Sequence, residues 1–148
     1  GSYYSISAWF KLGELDTPSA IFSSNYENRV LFRYVYSKLM GNAYEASSSN
    51  WPIWTVYGTT EPIKDQWYHG VFVVDKNNLI LYLDGEKDGE RTIDETYTIN
   101  NALSVSNIGY TGMSGSKQYF DGSIDEVMIY DRALSAEEVK ALYDIQKE

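Results

Sequence analysis

Residues Tyr119–Val139 read YFDGSIDEVMIYDRALSAEEV, and this stretch decides the fold. Phe120–Tyr130 is a strand-type run that includes Ile124, Val127, Ile129 and Tyr130. It gives way directly to Ser135-Ala136-Glu137-Glu138, a capping box in which the Ser side chain accepts from the Glu138 amide while Glu138 reaches back. Leu134 before the cap and Val139 after it are spaced for a hydrophobic staple. Val139, Leu142 and Tyr143 form a narrow apolar stripe suited to packing on a sheet. The stretch therefore predicts a strand followed by a short closing helix, the one convincing helix of the chain.

Upstream the pattern is β throughout. Ser5–Leu12 alternates, with Ile6, Ala8, Phe10 and Leu12 on one face and Ser5, Ser7, Trp9 and Lys11 on the other. Asn28–Val35 repeats the alternation. Trp51–Tyr57 and Trp67–Val74 are rich in aromatic and β-branched residues, which suit a pleated, half-buried surface. Turns are expected at Asn77-Asn78 and at Asp84-Gly85. Val71–Val74 and Leu79–Leu83 are apolar on both faces, as strands covered on both sides should be. Ser104–Tyr110 is a further short run. Frequent turn signals with almost no helical period predict an all-β, two-sheet antiparallel jelly-roll sandwich with a short C-terminal helix. With no internal repeat or low-complexity linker, residues 1–148 are expected to form one domain.

Composition excludes several functions. Twelve Lys and Arg stand against 21 Asp and Glu, a net charge of −9, which opposes phosphate backbones and anionic lipid heads. No nucleic-acid partner is expected, and no apolar run reaches the roughly 20 residues that span a bilayer. There is no cysteine, hence no disulfide, thiolate metal site or Cys nucleophile. Gly1-Ser2 reads as a cloning remnant, and the chain is expected to be one part of a larger exported protein whose targeting signal lies elsewhere.

The stretch quoted first also resembles the C-terminal signature of laminin-G-like jelly rolls, through Gly122-Ser123-Ile124-Asp125-Glu126-Val127 and Tyr130-Asp131-Arg132-Ala133-Leu134-Ser135 before an acidic helix. Ile6-Ser7-Ala8-Trp9 is similar to the family's early strand, Trp67-Tyr68-His69 to its central strand, and Leu81-Tyr82-Leu83-Asp84-Gly85 to the hairpin that follows. The matches keep the family's order and cover most of the chain. The resemblance implies a concanavalin A-like sandwich that binds glycans or cell-surface proteins, or serves as a spacer, in secreted and cell-surface proteins. Two departures stand out: almost nothing precedes Tyr3, where the family has a further strand, and Ser37–Pro62 matches no family motif.

Relatives in the wider class include β-glucanases, whose chemistry fixes the spacing of two carboxyls. A retaining glycosidase needs two carboxyls about 5–5.5 Å apart. Asp121 and Asp125 are separated by about 13 Å of strand, and Asp125 and Glu126 are expected to point to opposite faces. The chain is therefore expected not to be an enzyme. His69, the only histidine, is expected to pack or hydrogen-bond structurally, and a lone His excludes an imidazole-rich zinc site.

Calcium is the one candidate cofactor, with Asp121 and Asp125 as candidate ligands because metal-bearing relatives use acids near this strand. Tyr44, Trp51, Trp54 and Tyr57, near Asn42, Glu45 and Asn50, are the candidate ligand-binding residues, since sugar rings stack on exposed aromatic faces. Tyr110 and Tyr119 bracket a Gly-Ser loop and form a second candidate. Trp9 and Trp67 are expected in the core. The leading functional reading is a non-catalytic glycan- or protein-binding module. The alternatives are a spacer without a ligand site and, last, a glucanase.

Overall fold

A computed structural model describes residues 3–24, 30–44, 53–94, 106–113 and 116–147. Its elements, in chain order, are β1 (Tyr3–Leu12), β2 (Ser19–Ser24), β3 (Val30–Val35), β4 (Lys38–Tyr44), β5 (Ile53–Tyr57), β6 (Trp67–Asp75), β7 (Asn78–Leu83), β8 (Glu86–Thr92), β9 (Ser106–Ile108), β10 (Tyr110–Met113), β11 (Ser116–Tyr119), β12 (Gly122–Tyr130) and α1 (Ala136–Gln146). Two five-stranded antiparallel sheets stack face to face. The back sheet runs β12-β1-β6-β7-β8 and the front sheet β5-β4-β3-β2-β9. A separate hairpin, β10–β11, completes the jelly roll.

The alternation of β1 works as its sequence predicts. Ile6, Ala8, Phe10 and Leu12 are fully buried between the sheets with Phe32, Tyr34, Leu39 and Phe72. Gly41 and Gly70 let the sheets approach. A Cβ at Gly41 would run into the Phe72 ring, and one at Gly70 would sit 2.9 Å from Phe32 Cζ.

Ser5 and Ser7, on the outer face of β1, are also fully buried. The cause is α1, which lies over the outside of the back sheet. Val71, Val73 and Tyr82 form a second apolar cluster there with Leu134 and Val139. Ser5 Oγ donates to Arg132 O (2.8 Å) and accepts from Leu134 N (2.9 Å), fixing the chain as it enters the helix. The capping box forms as expected: Ser135 Oγ accepts from Glu138 N at 3.2 Å, and Glu138 accepts from Ser135 N at 2.8 Å. Its carboxylate also takes Arg132 at 2.8 Å, and that guanidinium holds the Glu138 carboxyl below the usual range. Trp9, His69 and Tyr143 form an aromatic cluster under the helix, with centroids 5.2 Å apart for Trp9–His69 and 5.7 Å for Trp9–Tyr143.

Two features depart from the sequence pattern. Trp67, expected in the core, is 41% exposed at the start of β6. It pairs with Lys11 of β1, whose ammonium sits 5.3 Å from the ring centroid. The second departure is a β-bulge. Ser7 pairs with Met128 but Trp9 pairs with Asp125, so Ala8 faces both Glu126 and Val127. Glu126 takes φ 50° to make the bulge. Simple alternation therefore fails there, and Asp125 and Glu126 border the same groove instead of opposite faces.

Candidate functional site

Of the four aromatic residues expected to form a platform, Trp51 lies outside the described residues, as does the Tyr44 side chain, although the Tyr44 backbone pairs with Ile53 in the front sheet. Trp54 shares a face with Ala43 and packs, half-buried, against the core. The Arg91 guanidinium lies 5.4 Å from its ring centroid. Tyr57 pairs with Met40 on the opposite, outer face and is 48% exposed. The pleat thus sends Trp54 inward and Tyr57 outward, and these two do not make one surface. Asn42 shares the outer face with Tyr57. Its Nδ2 donates to Thr55 Oγ1 at 2.7 Å, and its Oδ1 has no hydrogen-bond partner among the described residues.

The hairpin β10–β11 makes a better-defined site. Gly109, with φ 73°, breaks the chain between β9 and β10 and is pinned on both sides: its N–H donates to Ile21 O (2.9 Å) and its carbonyl accepts from Phe120 N (2.8 Å). The hairpin then lies against the front sheet. Ser23 Oγ donates to Tyr110 O at 2.8 Å, and Arg33 Nη1 donates to Gln118 Oε1 at 2.9 Å. Tyr110 and Tyr119 face each other across it with ring centroids 5.0 Å apart. Tyr119 is nonetheless 63% exposed.

Beside it opens a cleft of about 570 Å³, walled by Thr17 and Pro18 on one side and by Lys117–Gly122 on the other. It therefore combines an aromatic face with a carboxylate (Asp121), an ammonium (Lys117) and a hydroxyl (Thr17). Such a set suits a ligand with an apolar face and many hydroxyls, and the size is that of a small-molecule site. The pairing of Tyr110 with Tyr119 was legible in the sequence; the Thr17–Pro18 wall was not, because it comes from a distant loop.

Asp121 borders this cleft, whereas Asp125 lies across from Trp9 and borders a different groove. Asp121 lies one residue before β12 and Asp125 within it. Among the described residues no group of three or more acidic or His side chains is placed to hold a metal. Asp125 Oδ1 instead accepts from Glu126 N at 2.8 Å.

This architecture defines a two-sheet jelly roll with clefts at its rim. The profile of the concanavalin A-like lectin/glucanase superfamily matches residues 1–140, and the chain belongs to that family. No curated protein sequence matches it. Among solved structures it is similar to a native heptameric pentraxin of Limulus polyphemus (TM-score 0.72, 18% identity, 95% of this chain and 69% of that one). It is also similar to domain 4 of AbnA, an extracellular arabinanase of Geobacillus stearothermophilus in complex with arabinotriose (TM-score 0.70, 24% identity, 97% and 68%). The binding domain of botulinum neurotoxin DC, in complex with SialylT, matches with TM-score 0.71 and 14% identity over 97% of this chain and 35% of that one. At these identities the likeness is one of fold.

Proposed function

We propose that the chain is a non-catalytic carbohydrate-binding module of a larger exported protein, and that it binds neutral glycan at the cleft beside Tyr119. The observation that carries this reading is the 63% exposure of Tyr119, a large ring backed by Tyr110 and placed in a cleft with polar groups of mixed sign. A net charge of −9 disfavours acidic sugars. One of the similar structures, the arabinanase domain, was solved with arabinotriose, a neutral glycan, which supports the class of ligand. The arabinanase is extracellular, which supports an exported location. No described helix is long and apolar enough to cross a membrane.

Catalysis is disfavoured by placement. A glycosidase sets its two carboxyls on either side of the scissile bond. Asp125 and Glu126 are consecutive on edge strand β12 and come from one wall of their groove, and Asp125 is already bonded to the Glu126 amide.

Binding of arabino-, laminari- and manno-oligosaccharides by titration calorimetry tests the proposal. Tyr119→Ala is expected to lower affinity about ten-fold, the equivalent of one lost stacking contact. A bound glycan whose affinity ignores that substitution would move the site elsewhere. Absence of any binding would favour a spacer.

A further inference from the structure

We infer that the site does not end at the Tyr119 cleft but continues along β12, so that the ligand is an extended chain of neutral sugars and not a terminal sugar unit; this rests on the glycan-binding reading above. A second groove, of about 350 Å³, lies on the outside of the back sheet at the C-terminal end of α1. Its walls are Trp9, Trp67, Asp125, Glu126, Gln146 and Lys147.

Three observations point to a hydroxyl-rich ligand there. Trp67 is 41% exposed although the next residues of its strand, Tyr68 and His69, are buried, so a large ring, with the Lys11 ammonium 5.3 Å from its centroid, is left part-open beside a groove. Such rings are what sugar faces stack on. Two carboxylates accept and an amide does both, while the Lys147 ammonium already donates to Asp144 Oδ1 at 3.0 Å. That set reads hydroxyls, and its carboxylates repel an anionic ligand. Finally, the groove is held in shape. Trp9 Nε1 donates to Gln146 Oε1 at 3.0 Å, and the Trp9 ring stacks on Tyr143, so helix and sheet present the groove as one wall.

The two clefts are joined by one strand. Gly122 borders the first and Asp125 the second, three residues or about 10 Å apart along β12. A few linked sugar units cover that distance. The bulge at Glu126 makes the second cleft possible, because it brings consecutive carboxylates to the same groove.

Calorimetry with arabino- and laminari-oligosaccharides from mono- to hexasaccharide tests the inference. Affinity is expected to go on rising beyond the disaccharide. Trp67→Ala is expected to cost the hexasaccharide about ten-fold and bring it down to the disaccharide's affinity, while Trp67→Phe, which keeps a ring, retains most of the gain. Thermal melts of both variants identify any loss of fold. Asp125→Asn, at an exposed position, is expected to weaken only the longer oligomers. An affinity that stops rising at the disaccharide would overturn the extended site and leave the Tyr119 cleft standing. A Trp67→Ala variant that matches the parent at every length would do the same. Failure of every oligomer to bind the parent protein would overturn both.

Discussion

Ser7 Oγ and His69 Nε2 lie 2.8 Å apart between β1 and β6, on the face of the back sheet that α1 covers. His69 is fully buried, its Nδ1 has no hydrogen-bond partner among the described residues, and its ring is stacked on Tyr143 and tilted against Trp9. Whichever tautomer it takes, one hydrogen bond to Ser7 is compatible with the neutral ring. A charged ring would have to stay out of water, and this desolvation lowers the His69 pKa from 6.5 to about 4.

Stability should therefore depend on pH. Between the two values the unfolded chain binds a proton that the native one refuses, so the contribution of neutral His69 is complete above about pH 6.5 and is lost as pH falls toward 4. Between pH 7 and pH 5 the loss should be about 2 kcal/mol. Urea unfolding at the two pH values measures it. In His69→Gln, which cannot titrate, that part of the difference should vanish.

Gly41 and Phe72 set the spacing between the sheets. Because a Cβ at position 41 would collide with the Phe72 ring deep in the core, Gly41→Ala should destabilise the fold by roughly 1–3 kcal/mol through overpacking. Denaturant unfolding should show a lower midpoint with an unchanged m-value. A neutral result would mean that the ring moves aside at little cost.

The helix cap gives a separable test. Ser135→Ala removes the oxygen that accepts from Glu138 N and should cost about 1 kcal/mol. Glu138→Gln keeps a side chain able to reach back to the cap amide but loses the charge facing Arg132. Its effect should be smaller and should fade in high salt, as expected of an exposed ion pair. The order of the two midpoints, read with and without salt, decides between cap and charge as the main anchor.

Much of this architecture is visible in residue order. The alternation of Ser5–Leu12, the doubly apolar Val71–Val74 and the capping box at Ser135 each have a local cause, and each appears as expected. Strands β8 and β11 have no such signal. Glu86–Thr92 is nearly all polar, and it is a strand because β7 offers it a hydrogen-bonding edge. Trp67 departs from the expected core position because its neighbours suggest a buried strand, while its own place at the strand's start leaves it partly in solvent. The Tyr119 cleft was half legible: the two tyrosines that stack are close in sequence, but Thr17 and Pro18 reach them only through the fold.

The bulge on β12 allows a test of site against scaffold in one residue. Glu126 holds φ 50°, a left-handed conformation that costs an ordinary residue roughly 1–2 kcal/mol and glycine almost nothing. Nothing in the packing demands a glutamate, since its side chain is exposed. Glu126→Gly should therefore leave stability unchanged or raise it by up to about 1 kcal/mol, the relief of strain being partly offset by the greater freedom of glycine in the unfolded chain. Glu126→Val, branched at Cβ and intolerant of that φ, should lose stability instead. If the carboxylate reads sugar hydroxyls in the groove, the glycine variant will bind long oligosaccharides more weakly than the parent while melting no earlier. A glycine variant that is as stable and binds as tightly would show that the bulge serves only the sheet.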